Sequence, residues 1–249
     1  MTFSALARRY VAATVAALVL TACGGGGSDS PATSTPPTGT SATATFPLAA
    51  AIVNFLKEAK ATPFSVTGTA SGNGQALSVT GSGTSSEINT TGTFNGVPAI
   101  VKTIRVTGNL ESRGTKIPLG DTTTTQYFDS SYKPLGALSS VGYCVTSAQT
   151  ALPATIRIGD AGEYYTLNCY TNSAKTTLTD TSKVSYALEA ATETTAILKL
   201  IFKSTTAGAS TAPVASNYVI STNGALVRGE SPILLTASGV TLDLIFKYQ

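Results

Sequence analysis

From residue 61 to the C-terminus one kind of segment recurs: a short run of threonine, valine, isoleucine, tyrosine and phenylalanine, closed by glycine, asparagine, aspartate or serine. These are strand-forming residues separated by turn-forming ones, which commits the chain to β-structure. The last segment states the rule most clearly. Val240, Leu242, Leu244, Phe246 and Tyr248 alternate with Thr241, Asp243, Ile245, Lys247 and Gln249, giving one apolar and one mostly polar face. Residues 198–203, LKLIFK, repeat the pattern of 242–247, LDLIFK, so Leu198, Leu200 and Phe202 are expected to line the same core. An antiparallel sheet with one buried face follows.

Earlier segments carry a Val-Thr-Gly core at Val66, Val79 and Val106, where the glycines permit the bulges and bends of a curved sheet. Their unequal spacing marks shared strand chemistry rather than a repeat. Further strands are expected in TTTTQYFD, TIRI, EYYTLNCYT, KVSYALEA, TTAILKLIFKS, NYVIST, PILLTAS and VTLDLIFKY. Turns are expected at Gly120-Asp121, Gly159-Asp160, Asn223-Gly224 and Ser238-Gly239, with Asn223-Gly224 the best hairpin signal.

One stretch breaks the pattern. In 47–60, PLAAAIVNFLKEAK, the residues Leu48, Ile52, Phe55, Leu56 and Ala59 fall on one helical face. Pro47 suits a first turn and Pro63 forbids continuation. The expected fold is therefore mainly β: a curved antiparallel sheet or open half-barrel with one N-terminal amphipathic helix packed on it.

The region before this helix is different in kind. Arg8 and Arg9 precede the apolar run 11–20, VAATVAALVL, which is shorter than the ~20 residues a membrane-spanning helix needs. A basic start, an apolar core of this length and small residues after it describe a secretory signal, residues 1–22. Residues 24–45, GGGGSDSPATSTPPTGTSATAT, hold no core-forming side chain and read as a flexible tether with a reach of about 25 Å. Residues 46–249 then form the β-rich globular domain.

Leu20-Thr21-Ala22-Cys23 resembles the lipobox of bacterial lipoproteins. The resemblance implies cleavage before Cys23, a thioether-linked diacylglycerol on its sulfur and acylation of the new amine. Several acyl chains at ~0.8 kcal/mol per buried CH₂ hold a protein stably on a membrane. Gly24 stands where an inner-membrane retention aspartate would, so the resemblance implies the outer membrane, periplasmic or surface-facing. The helix running into Phe64-Ser65-Val66-Thr67-Gly68 is similar to the half-barrels of lipoprotein carriers. YFDSSYKPLG (127–136) and LPATIRIGDAGEYYTLNCYT (152–171) are similar to segments of uncharacterised proteobacterial lipoproteins, a family that brings no functional residues with it.

With Cys23 lipidated, Cys144 and Cys169 remain. In an exported protein two cysteines read as one disulfide, here between strand-like segments, contributing about 3 kcal/mol in the chain-entropy model.

Composition removes chemistries. The chain has no histidine, which excludes Ser-His-Asp and Cys-His catalysis and the commonest zinc sites. Setting aside Arg8 and Arg9 leaves fourteen basic and thirteen acidic residues, with no basic stripe for nucleic acid. Ser130-Ser131-Tyr132-Lys133 matches the S-x-x-K of penicillin-binding enzymes, but Pro134 and Gly136 after it favour a turn over a helix. Asp160 and Glu163 could hold calcium or serve a glycosidase, but GDAG is an ordinary turn sequence. No metal or cofactor is expected. Tyr127, Tyr132, Tyr143, Tyr164, Tyr165 and Tyr170 concentrate in one region and offer a binding surface for sugar or protein, against the alternative of half-buried sheet positions.

The expected function is non-catalytic: an outer-membrane lipoprotein with a structural or binding role, attached through its lipid, its partner an envelope protein, glycan or lipid. A carrier holding a lipid in a half-barrel is the second reading, and a carboxylate-dependent hydrolase the third.

Overall fold

A computed structural model describes residues 43–249 except 73–74, 120, 140–141, 207–208, 211–212 and 238–239; of 209–210, 235–237 and 240 it describes the backbone. The signal, the lipobox, residues 24–42 of the tether, Gly120 of the expected Gly120-Asp121 turn and the Ser238-Gly239 turn lie outside the described residues. The tether's last residues differ from the expectation: Ala44 packs against a core cluster and Thr45 begins a strand. Strand makes up 72% of the structure, with one short helix.

The chain enters through β1 (Thr45–Phe46) and helix α1 (Leu48–Lys57). Three long strands follow, β2 (Ala61–Gly72), β3 (Gln75–Phe94) and β4 (Val97–Ser112), then β5 (Thr115–Pro118), β6 (Thr122–Phe128), β7 (Pro134–Ser139) and β8 (Gly142–Gln149). After β9 (Ile156–Arg157) come β10 (Ala161–Tyr170), β11 (Leu178–Ala190), β12 (Thr195–Thr206), β13 (Ala209–Ser210) and β14 (Val214–Ser221). The chain ends in β15 (Leu226–Arg228), β16 (Glu230–Ala237) and β17 (Val240–Tyr248).

Thirteen strands form one antiparallel path, β15-β14-β12-β11-β10-β8-β7-β6-β4-β3-β2-β17-β16. Its two outer strands are consecutive in sequence, joined by Gly229 alone. Gly229 donates its N–H to Asn217 O of β14 at 2.8 Å, and β16 runs on to pair with β17. One stretch of chain thus pairs with both edges and brings the curved sheet nearly to closure, further than an open half-barrel. Near-closure leaves few unpaired edge groups for another chain to join.

Alternation decides what faces inward. On β3, Val79, Ser85 and Glu87 are buried while Ser78, Thr80, Ser82 and Thr90 are exposed; on β4, Lys102, Ile104, Val106 and Leu110 are buried while Arg105, Thr107 and Asn109 are exposed. On these strands the outer face is rich in Ser and Thr, unlike the apolar band that a membrane-spanning barrel carries outside, and the inner face is mixed apolar and charged.

The interior holds two main clusters. Phe64, Val66, Ile104, Leu110, Leu244 and Phe246 belong to the first, beneath β2–β5 and β16–β17. Phe46, Leu48, Ile52, Phe55, Leu188 and Leu198 belong to the second, which gathers around α1. Leu200 and Phe202 pack against this second cluster, so the two LxLxFK motifs do not share a core as expected. The reason is topological: β12 and β17 are not neighbours in the sheet path.

The helix ends at Lys57, earlier than the sequence pattern suggests, and Ala59 is exposed rather than part of the apolar stripe. Its register is otherwise as expected, with Leu48, Ala51, Ile52 and Phe55 buried. The early ending has a cause. A helix C-terminus leaves four carbonyls without intrahelical partners, and inward-facing side chains of β3 and β4 meet them. Asn89 donates to Leu56 O (3.1 Å) and Lys57 O (2.9 Å), and Lys102 donates to Leu56 O (3.1 Å) and Glu58 O (2.8 Å). At the other end, β1 pairs with β9, setting Phe46 against Ile156, both fully enclosed.

Other expectations hold. Asn223-Gly224 is the hairpin turn between β14 and β15, with Gly224 at φ 86° and its N–H on Ser221 O at 2.9 Å. Gly159-Asp160 turns between β9 and β10, with Gly159 at φ 90°.

Candidate functional site

The site follows from the helix ending against inward-facing side chains of β3 and β4. Lys102, 1% exposed, brings a full charge to satisfy the helix carbonyls, and a buried charge needs a counter-charge. Glu87 supplies it: Lys102 Nζ lies 2.8 Å from Glu87 Oε2. The other carboxylate oxygen, Oε1, lies 2.8 Å from Arg228 Nη2. One buried carboxylate therefore joins two cations from β4 and β15.

Arg228 is held on several sides. Its guanidinium lies 5.1 Å from the Tyr248 ring centre and 5.8 Å from that of Phe55, cation–π distances. Tyr218 packs edge-on against Phe55 at 5.4 Å. Burial works against the Arg228 charge, but Tyr218, Glu87 and Tyr248 together raise its pKa above the ordinary arginine value. The Nε of Arg228 is buried and makes no hydrogen bond.

Beside this network lies a cavity of about 90 Å³. Lys102, Arg228, Tyr218 and Tyr248 line one part, and Phe55, Phe128, Leu200 and Phe202 another. Tyr164 and Tyr165, edge-on to each other at 4.8 Å, also face it. Burial, then Asp129, pushes the Tyr164 hydroxyl up to about 12; burial and neighbouring tyrosines push Tyr165 higher. Burial also raises Tyr218, partly offset by Arg228. All three stay neutral hydrogen-bonding groups at any physiological pH.

The six tyrosines singled out in the sequence are divided among several places. Tyr164 and Tyr165 face the cavity. Tyr127 and Tyr143 stack on either side of Phe94, at 4.5 and 5.2 Å, and Tyr143 donates to Asn95 Oδ1 at 2.8 Å. Tyr132 sits in the β6–β7 turn at φ 61°, near Phe128 and Lys57. Tyr170 pairs with Tyr143 across β10 and β8.

Cys144 and Cys169 are directly opposed on β8 and β10 and form a disulfide, both 3% exposed, in a small cluster with Ala137 and Leu167. Ser130–Lys133 forms the β6–β7 turn, where Asp129 Oδ1 accepts the Ser131 N–H (2.8 Å) and the Lys133 N–H (2.9 Å). Asp160 is engaged by its own turn, its Oδ2 accepting Arg157 N–H at 2.8 Å. Glu163 lies in an open hollow of about 210 Å³ beside Lys183 and Lys203.

Glu87, Lys102 and Arg228 escaped the sequence reading, though a signal exists. Lys102 is in phase with Ile104, Val106 and Leu110, and Glu87 with Val79: charged residues in register with an apolar stripe. No family model, curated protein or solved structure matches this chain.

Proposed function

We propose that this chain is a non-catalytic lipoprotein of the bacterial envelope, held at the outer membrane by lipid on Cys23, with the barrel serving a structural or binding role. The observation that carries the non-catalytic part is the occupancy of the interior. A helix, two apolar clusters and an ion network fill much of it, and the cavity beside that network measures about 90 Å³. Ligand pockets for drug-sized molecules run to about 300–1,000 Å³, so an acyl carrier fits poorly. The buried carboxylate, Glu87, has both oxygens in ion pairs, so it is not poised as a free base or nucleophile.

The outer face supports a tethered barrel rather than a spanning one. Ser78, Thr80, Ser82 and Thr90 on β3 are exposed and polar, and contact with the membrane falls to the N-terminal segment. Export suits the disulfide, which forms and persists in oxidising compartments.

Metabolic labelling with radioactive palmitate, followed by membrane fractionation, tests the anchor. Wild-type protein is expected to take up label and sediment with the outer membrane, and Cys23→Ala to stay unprocessed and unlabelled. Label in Cys23→Ala would contradict it.

A further inference from the structure

The cavity wall has a one-sided charge. Among its lining residues the formally charged ones are Lys102 and Arg228, both cationic, while Glu87 sits behind them and does not line it. Counting all three gives two positive charges and one negative in a largely buried region. Lys102 has no donor to spare: its ammonium already reaches Glu87, Leu56 O and Glu58 O. Arg228 does: one terminal nitrogen meets Glu87 and the guanidinium also hydrogen-bonds Tyr248, but its buried Nε meets no acceptor. The hydroxyl-bearing residues Ser216, Tyr218, Ser231 and Tyr248 line the same space. A largely buried guanidinium with a donor unused, hydroxyls around it and one positive charge in surplus suit an anion.

Size and lining narrow its class. Set against the cavity of about 150 Å³ that takes up a benzene, about 90 Å³ suits about three to five non-hydrogen atoms. The surplus is one charge, which a monovalent anion balances and a divalent one exceeds. Phe55, Phe128 and Phe202 on the remaining wall offer an apolar surface for a methyl or ethyl group. We propose that the barrel interior binds one short-chain monocarboxylate, of two or three carbons, with its carboxylate on Arg228 and its carbon end among these phenylalanines. The proposal goes beyond the envelope role and is independent of the anchor.

Isothermal titration of the full-length protein in detergent, with sodium acetate and propionate at fixed ionic strength, tests it. The expected result is saturable binding of one ligand per chain. Affinity should fall at least tenfold in Arg228→Lys, which keeps the charge and loses the planar fork, and several-fold in Tyr248→Phe. Circular dichroism of each variant establishes that it is folded; if Arg228→Lys fails to fold, Tyr248→Phe decides, and an unchanged affinity there overturns the proposal. Absence of saturable heat with wild-type protein would overturn it, leaving the filled-barrel reading standing. Preference for phosphate or sulfate would overturn the monocarboxylate assignment. Octanoate displacing acetate would overturn both the size limit and the filled interior.

Discussion

Glu87 is the side chain on which the interior depends most. It neutralises Lys102 and Arg228 at once, and neither has another carboxylate within ion-pair distance among the described residues. Removing one partner of a buried ion pair strands the others, at a cost of about 3–5 kcal/mol. Glu87→Gln keeps the shape and removes the charge, so urea denaturation should show a loss of that order. A loss under 1 kcal/mol would mean that the triad is solvated. Tyr164 gives a second expectation, in pH. Its folded pKa is raised from the ordinary 10 to about 12, by burial and then by Asp129. Between those values the folded chain holds a proton that the unfolded chain has lost. The contribution is therefore complete below about pH 10 and disappears as pH rises through about 12. A shift of that size is worth about 2–3 kcal/mol. Stability should fall across this window, and Tyr164→Phe should flatten part of the fall. An identical pH profile for the two proteins would count against the burial of that hydroxyl.

The long strands owe their curvature to glycine. Gly83 on β3 faces Gly108 on β4, and a Cβ on Gly83 would lie 2.2 Å from Thr107 O and 2.4 Å from the end of the Phe64 ring. Backbone occupies the space a side chain would need, so the neighbours cannot simply turn aside. Gly83→Ala should cost about 1–3 kcal/mol, the usual cost of overpacking, read as a lower midpoint in thermal unfolding. An unchanged midpoint would mean that β3 and β4 are further apart than described. Strand chemistry was readable here because Val-Thr-Gly announces the strand, and the pairing runs through Gly68, Gly81 and Gly108 without a bulge. Alternation in β17 likewise marked Leu242, Leu244 and Phe246 as inward. The helix was readable from its stripe, but its end was not, because Lys102 and Asn89 set it from strands distant in sequence.

Across the molecule, the β class, the amphipathic helix and the disulfide were legible because each rests on local pattern or on counting. The near-closure of the sheet was not, since Gly229 joins two edges that only the register reveals. Nor was the charged interior, because a lone Lys or Glu in a strand ordinarily points to solvent. It is this interior that separates a filled barrel from a carrier. A carrier needs an empty trough, whereas here α1 packs into the second cluster and the cavity beside the ion network measures about 90 Å³. Native mass spectrometry of the full-length protein, released from detergent and followed by solvent extraction, reads the difference directly. The account predicts the mass of the processed, lipidated chain with no fatty acid or phospholipid retained beyond the covalent anchor. A stoichiometric, non-covalent acyl chain that survives release would contradict it.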